Sequence, residues 1–203
     1  MRKAIVQQFK RPSGVLGRLA GWIMARRNLR RNEWVVSLLG IEPNHHVLEI
    51  GCGPGVALEL AAELATRGRV VGVDHSELMA SVASKRNAVA IAAGRVEVVH
   101  GTAEAAAKRG EQFDRIYAVN VAQFWDAPEE TLFALRNAMT PNGMIGIALQ
   151  PRNRGATDED AERAAMRYEQ LLLDAGFVDV RVERLGLQPR VICALGRVRP
   201  SNA

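Results

Sequence analysis

Hydrophobic and polar positions along this chain follow two periods that take turns. Short apolar runs read as buried strands: HVLEI (46–50), RVVGVD (69–74), RVEVVHG (95–101), FDRIYAVN (113–120) and MIGIAL (144–149). Helical periods separate them. VALELAAELATRG (56–68) predicts a helix with Glu59, Glu63 and Arg67 at i, i+4 spacing on one face and Gly68 as its stop. Ser76 is placed to cap a second helix through Leu78, Met79 and Val82. Asp126 and Glu129 have the spacing of a capping box and open a third helix, ending near Met139. The TPNG turn (140–143) then leads into the fifth strand. Thr157 and Asp160 form another box, ahead of a long helix to Asp174.

Past Gly176 the period drops to two, with Val178, Val180 and Val182 alternating with charge. PRVICALGRV (189–198) follows after only Leu185–Gln188, so the last two strands should pair as an antiparallel hairpin. Upstream, Leu16, Leu19, Ala20 and Ile23 form one amphipathic stripe, and Trp34, Val35, Leu38 and Leu39 form another. The whole pattern predicts an α/β fold: a mostly parallel seven-stranded sheet with an antiparallel C-terminal hairpin and helices on both faces. Residues 1–40 read as a helical arm, and 41–203 as the sheet domain.

Length and composition agree with this. A chain of 203 residues, 48% apolar and 24% charged, suits one full-sized globular domain. No apolar stretch approaches the roughly 18–20 residues of a membrane span, and the basic N-terminus lacks the apolar run of a secretory signal. Two cysteines, Cys52 and Cys193, make no disulfide framework, which suits the cytoplasm. Charge is uneven. The first 32 residues hold nine basic side chains and no acid, so the whole net charge of +5 originates in the arm.

The most informative stretch is HVLEIGCGPGVALEL (46–60), where Gly51, Gly53 and Gly55 follow a strand and the acid Glu49. Glycines so close together imply a sharp bend or a close approach. A phosphate-binding P-loop would need a Lys after the last glycine, and none is there. The nicotinamide fingerprint G-x-G-x-x-G would put a small residue where Val56 stands. The alternate spacing E-x-G-x-G-x-G instead resembles the first motif of the class I S-adenosylmethionine-dependent methyltransferases. VVGVDHSELMASVASKR (70–86), VVHGTAEAA (98–106), FDRIYAVNVAQFWDAP (113–128) and LRNAMTPNGMIGIAL (135–149) resemble the later motifs, in order.

The resemblance implies a Rossmann-like fold with S-adenosyl-L-methionine as cofactor. It implies that Gly51, Cys52, Gly53 and Gly55 wrap the cofactor, with Glu49 toward its ammonium and Asp74 on its ribose hydroxyls. His75 would lie at the ribose or adenine edge. Met79 would lie against the adenine, although a Met on a helix face is also ordinary core. Thr102 stands where the family usually has an Asp that bonds the adenine amino group, next to Ala103 and Glu104. Asn120 and Val121, ending the fourth strand, would lie beside the transferred methyl, with Asn120 positioning the acceptor. Phe124 and Trp125, at a strand-to-helix junction on the carboxyl end of the sheet, suit an acceptor pocket. Trp22 and Ile23 of the arm would cover it. Cys52, though near a helix N-terminus, reads as a backbone position between glycines. No His, Cys, Asp or Glu spacing suggests a metal site.

A small-molecule or lipid-like acceptor, methylated on O, N or C, is the first function reading. The basic arm also suits peripheral contact with an anionic membrane, or simple solvation of two packed helices. An RNA or DNA methyltransferase using the arm on phosphates is the alternative. It is disfavoured because NVAQFW lacks the Pro-Pro-aromatic run of amino-methylating nucleic-acid enzymes. A non-catalytic cofactor-binding regulator is the third. No oligomeric state follows from the sequence.

Overall fold

The computed structural model describes residues 29–200. It contains seven strands: β1 (His46–Ile50), β2 (Arg69–Asp74), β3 (Val96–His100), β4 (Phe113–Val119), β5 (Met139–Leu149), β6 (Val178–Leu185) and β7 (Val191–Arg197). They form one sheet in the order β3-β2-β1-β4-β5-β7-β6. The first five strands are mutually parallel, and β7 runs antiparallel to both β5 and β6. This is the predicted fold. The chain reverses direction of travel across the sheet between β3 and β4, so β1 and β4 border a topological switch point. In open α/β sheets the crevice beyond the carboxyl ends of such strands is where ligands bind.

The helices are α1 (residues 29–38), α2 (Val56–Leu64), α3 (Glu77–Arg86), α4 (Ala88–Ala92), α5 (Ala103–Ala107), α6 (Pro128–Asn137) and α7 (Asp158–Asp174), with a 3-10 turn at Ala122–Phe124. Two apolar layers separate them from the sheet. On one face Leu48, Ile50, Ile116 and Ile147 pack with Leu132 and Leu135 of α6 and with Leu172 of α7. On the other, Val47, Tyr117 and Leu195 pack with Leu58 of α2 and with Val35 and Leu39 of α1. The second stripe of the arm is thus part of the sheet's own core. The first stripe, with Trp22 and Ile23, lies outside the described residues.

Local signals hold where the interaction is local. Ser76 caps α3 by accepting from the Met79 N–H at 3.4 Å, and Thr157 and Asp160 form the full capping box on α7. Thr157→Ala is therefore expected to cost about 1 kcal/mol, lowering the thermal midpoint by roughly 3 °C in a chain of this size, as calorimetric melting will check.

Three local expectations are corrected. The helix after the glycine loop stops at Leu64, short of Gly68. Arg67 and Gly68 both donate backbone N–H to the Pro43 carbonyl at 2.7 Å, which pulls the chain out of the helix. Glu59 consequently pairs with Arg86 of α3, at 3.2 Å, and not along its own helix. A Cβ on Gly68 would lie 2.0 Å from the His45 carbonyl oxygen, so this glycine serves a close approach. Secondly, Asp126 caps nothing: the N-cap of α6 is Ala127 and the first helical residue is Pro128, which has no N–H to satisfy. Thirdly, TPNG is no free turn. It is an irregularity within β5, whose pairing with β4 jumps from Phe113–Met139 to Arg115–Met144. Asn142 at φ 63° supplies the kink.

Candidate cofactor and acceptor site

The glycine loop lies where β1 ends. Gly51 and Cys52 both donate to the Val73 carbonyl, at 2.7 and 3.0 Å, which ties the loop to β2. All three glycines have left-handed backbones, with φ of 68°, 52° and 76°. They differ in what surrounds them. A Cβ on Gly51 would lie 2.3 Å from Val121 Cγ2, and one on Gly55 would lie 2.7 Å from Asn87 Nδ2 and 2.9 Å from Ala83. A Cβ on Gly53 would meet nothing within 4 Å. Two of the glycines therefore let protein approach protein, while the middle one faces an open cradle.

Asp74 closes the loop from the β2 side. Its Oδ2 accepts from the Gly53 N–H at 2.8 Å and its Oδ1 from the Ser76 N–H at 2.9 Å. A carboxylate has about four lone-pair directions, so two amide bonds leave capacity for a pair of hydroxyls. His75 is half exposed beside it, with Nδ1 3.8 Å from Asp74 Oδ1. His100 Nε2 donates to the His75 carbonyl at 3.1 Å. Met79 is buried.

Glu49 is buried on the face that carries α1 and α2. The parallel register of β1 and β4 sets it opposite Tyr117, whose hydroxyl donates to Glu49 Oε2 at 3.1 Å. Burial raises the carboxyl to about 8; the Tyr117 hydrogen bond opposes that rise, and the nearby Asp74 charge adds to it. No cation among the described residues contributes to this shift, so near neutral pH Glu49 is a carboxylic acid that a bound cation would ionise. Burial, with the charges of Glu49 and Asp74, also pushes the Cys52 thiol up, which makes it an inert backbone position.

On the β3 side, Thr102 caps α5 by accepting from the Ala105 N–H at 3.3 Å, and Ala103 is buried behind it. Glu104 takes the Thr131 hydroxyl at 2.5 Å. Burial pushes this carboxyl up, but the hydrogen bonds and Lys108 outweigh it and the net shift is downward. On the β4 side, Asn120 adopts φ 58°, and its side-chain amide bonds the backbone of Gln150 in both directions. Nδ2 donates to the Gln150 carbonyl at 2.7 Å and Oδ1 accepts from the Gln150 N–H at 3.0 Å. The amide thus extends the β4–β5 ladder by one residue. Val121 covers Gly51, Trp125 is half-buried against the core, and Phe124 is 44% exposed. Glu49, Asp74, the glycines, Thr102 and Asn120 accordingly share the carboxyl end of the sheet.

Two buried polar groups escape a sequence reading. Tyr117 becomes a partner for Glu49 only once β4 is known to lie beside β1. Arg31 is buried on α1 with its Nε lacking a hydrogen-bond partner. Its signal is faint but present: Arg31, Val35 and Leu39 share one helical face, so a charge sits on an apolar stripe. An open groove beside α7, lined by Asp158, Glu162, Met166 and Arg190, contains none of the glycine-loop residues. Its charges pair among themselves, with Arg190 Nη1 2.7 Å from Glu162 Oε1. Among the described residues no cluster of His, Cys, Asp and Glu could hold a metal, and no helix is long and apolar enough to cross a membrane.

Comparison with known proteins agrees with this geometry. Residues 47–143 match a family model described as a methyltransferase domain. An uncharacterized methyltransferase of Bacillus subtilis, YdaC, is 26% identical over 180 residues, covering 88% of this chain and 97% of the relative. Trans-aconitate 2-methyltransferase of Paracidovorax citrulli is 36% identical over 142 residues, which are 68% of this chain but only 52% of that enzyme. In fold, the chain is similar to a SAM-dependent methyltransferase from Aquifex aeolicus, with a TM-score of 0.67 at 20% identity, over 86% of this chain and 93% of that one. The ordered motifs, the strand order and the loop with its two acids are those of the class I S-adenosylmethionine-dependent methyltransferases, and residues 47–143 of this chain match their methyltransferase domain.

Proposed function

We propose that this chain methylates a small-molecule acceptor at the carboxyl ends of β4 and β5, with the donor held by the glycine loop, Glu49 and Asp74. The observation that carries the reading is Glu49, a buried acid with no cation beside it among the described residues, next to the open cradle at Gly53. S-adenosylmethionine offers an ammonium for the one, a compact amino-acid end for the other and two ribose hydroxyls for Asp74. The residues present fit the group. When bound, that cofactor supplies a methyl already activated by a sulfonium leaving group.

The chain's own residues then have three tasks. Glu49 ionises and holds the ammonium, with Tyr117 donating to its Oε2. Asp74 accepts from the ribose while keeping Gly53 in place. Asn120 acts as a positioning residue: by locking Gln150 it sets the two strand ends between which an acceptor lies in line with the methyl. Phe124 and Trp125 wall that space and keep water from it. His75 and His100 lie beyond β2 and β3, on the far side of β1 from Asn120. Acid–base work at the methyl is therefore not assigned to them, and the acceptor presents its own lone pair.

The trans-aconitate relative is named for a small molecule, which supports that acceptor class over a nucleic acid. The test uses methyl-labelled cofactor and a cell extract. Label is expected in the small-molecule fraction; label confined to nucleic acid or protein overturns the acceptor reading. Calorimetry showing no binding of S-adenosylhomocysteine overturns the whole proposal.

A further inference from the structure

The turn between β6 and β7, residues 186–190, is tied down by groups that its hairpin does not need. The β6–β7 ladder already fixes the strand register, and turns at a surface are ordinarily mobile. Here two neighbouring residues are held from different elements. Gln150, the residue after β5, donates from Nε2 to the Pro189 carbonyl at 2.9 Å. Asp158, the first residue of α7, accepts the Arg190 N–H at 2.7 Å, and Glu162, one turn on, accepts from Arg190 Nη1 at 2.7 Å. Glu162 also takes Nε and Nη2 of Arg184, on β6, which fastens the same corner again. Exposed ion pairs of this kind add little stability. What they add is a fixed place for the turn relative to β5.

That place is beside the proposed acceptor. β7 runs antiparallel to β5 with Ile192 opposite Leu149, so the residues before β7 project past the carboxyl end of β5. In the sheet β5 lies between β4 and β7. The end of β5 therefore has Phe124 and Trp125, which follow β4, on one flank and the turn on the other. Two strand spacings, about 10 Å, separate the flanks. Gln150 joins them: the Asn120 amide bonds its backbone, and its own side chain holds the turn. Leu187 and Pro189, both half-buried, are the apolar residues of the turn. Across the gap Phe124 is 44% exposed and Trp125 half-buried, so both flanks offer apolar surface.

We propose that Gln150 is a positioning residue that sets the β6–β7 turn as the second wall of the acceptor crevice, with Leu187 meeting an apolar part of the acceptor. This rests on the methyltransferase reading above and narrows its substrate class to molecules with an apolar body that bridges the two flanks. Loss of water from the facing apolar surfaces supplies the attraction. A wall fixed in advance lowers the ordering cost of binding and selects among bodies of different size.

The test gives the full chain methyl-labelled S-adenosylmethionine and a dilution series of the small-molecule fraction of a cell extract, with labelled products separated by reversed-phase chromatography. The wild-type product is expected to be retained by the column. Leu187→Ala should raise the amount of extract needed for half-maximal labelling fivefold or more, with the saturating rate within twofold. Leu187→Gln, of similar length, should do the same, which keeps the test open if the alanine variant does not fold. Leu187→Met conserves volume and apolar surface and should stay within twofold of wild type throughout. Gln150→Ala keeps the backbone bonds to Asn120 and should raise the half-maximal amount as Leu187→Ala does. The double variant should be no worse than the worse single one, because both changes act on one wall. Arg181→Gln, on β6 and paired with Glu183, should change nothing. An unretained product, folded Leu187 variants that match wild type, a fall in saturating rate without a rise in the half-maximal amount, or multiplied effects in the double variant each overturn the inference. A wild type that labels no small molecule overturns the underlying reading instead, a result distinct from all of these.

Discussion

Glu49→Gln is expected to weaken S-adenosylhomocysteine about 100-fold, ~3 kcal/mol, at pH 7, the lower end of what breaking a buried charge pair costs. The same change should remove a pH dependence. In the ligand-free protein the Glu49 carboxyl is raised from 4.5 to about 8, mainly by burial. Its contribution to stability is fully present below the unfolded value and is lost as pH rises through the folded one. The native state holds a proton that the unfolded chain has released between those limits. Wild-type stability therefore falls across the window, with a slope on the order of 1.4 kcal/mol for each pH step. Glutamine does not titrate, so the variant should lose this component of the slope.

Ligand affinity runs the other way. The incoming ammonium favours the carboxylate, so binding below pH 8 expels a proton, and affinity should rise up to tenfold per pH unit before levelling above about 8. Calorimetry in buffers of different ionisation enthalpy should find nearly one proton released at pH 6–7 in the wild type and none in Glu49→Gln. Tyr117→Phe removes the hydrogen bond that favours ionisation, so its rise in affinity should move to higher pH. A wild-type affinity that is flat from pH 6 to 8 sinks the assignment of Glu49.

Gly51→Ala and Gly53→Ala should fail in different ways. Both positions are left-handed, which costs an alanine roughly 1–2 kcal/mol. At position 51 the new methyl also meets Val121 Cγ2 at 2.3 Å and Cγ1 at 2.9 Å, an overpacking penalty of about 1–3 kcal/mol. Together these should lower the thermal midpoint by about 10 °C. At position 53 the methyl meets no protein atom within 4 Å, so only the backbone penalty applies. It stands instead in the cradle assigned to the donor, and S-adenosylhomocysteine affinity should drop tenfold or more in a protein whose thermal midpoint falls by only roughly 3–6 °C. Thermal melts beside calorimetry read both. A Gly53→Ala protein that binds normally would show that the donor does not rest on this loop.

Features readable from the chain were those whose cause lies within a few residues. The Ser76 cap and the Thr157–Asp160 box span three positions, and both exist as expected. The glycine loop was legible because strand, acid and glycines are contiguous, and the alternation of Val178, Val180 and Val182 marked the final hairpin. Misreadings arose where a distant group or a stronger neighbour intervened. The Pro43 carbonyl ends α2 early by capturing Arg67 and Gly68. Pro128 displaces Asp126 as the start of α6.

The sequence by itself determined the order of the strands and of the longer helices, the family motifs and the acids flanking the loop, because periodicity, capping and backbone permissiveness act over single turns. Tertiary structure alone decided that Tyr117 meets Glu49, that Val121 rests on Gly51, and that Arg31 is buried beside Gln150 with a second guanidinium near it. The physical reason is desolvation. What a carboxyl or guanidinium does depends on how much water it loses and which charges share its low-dielectric surroundings, and those are set by elements far apart in the chain.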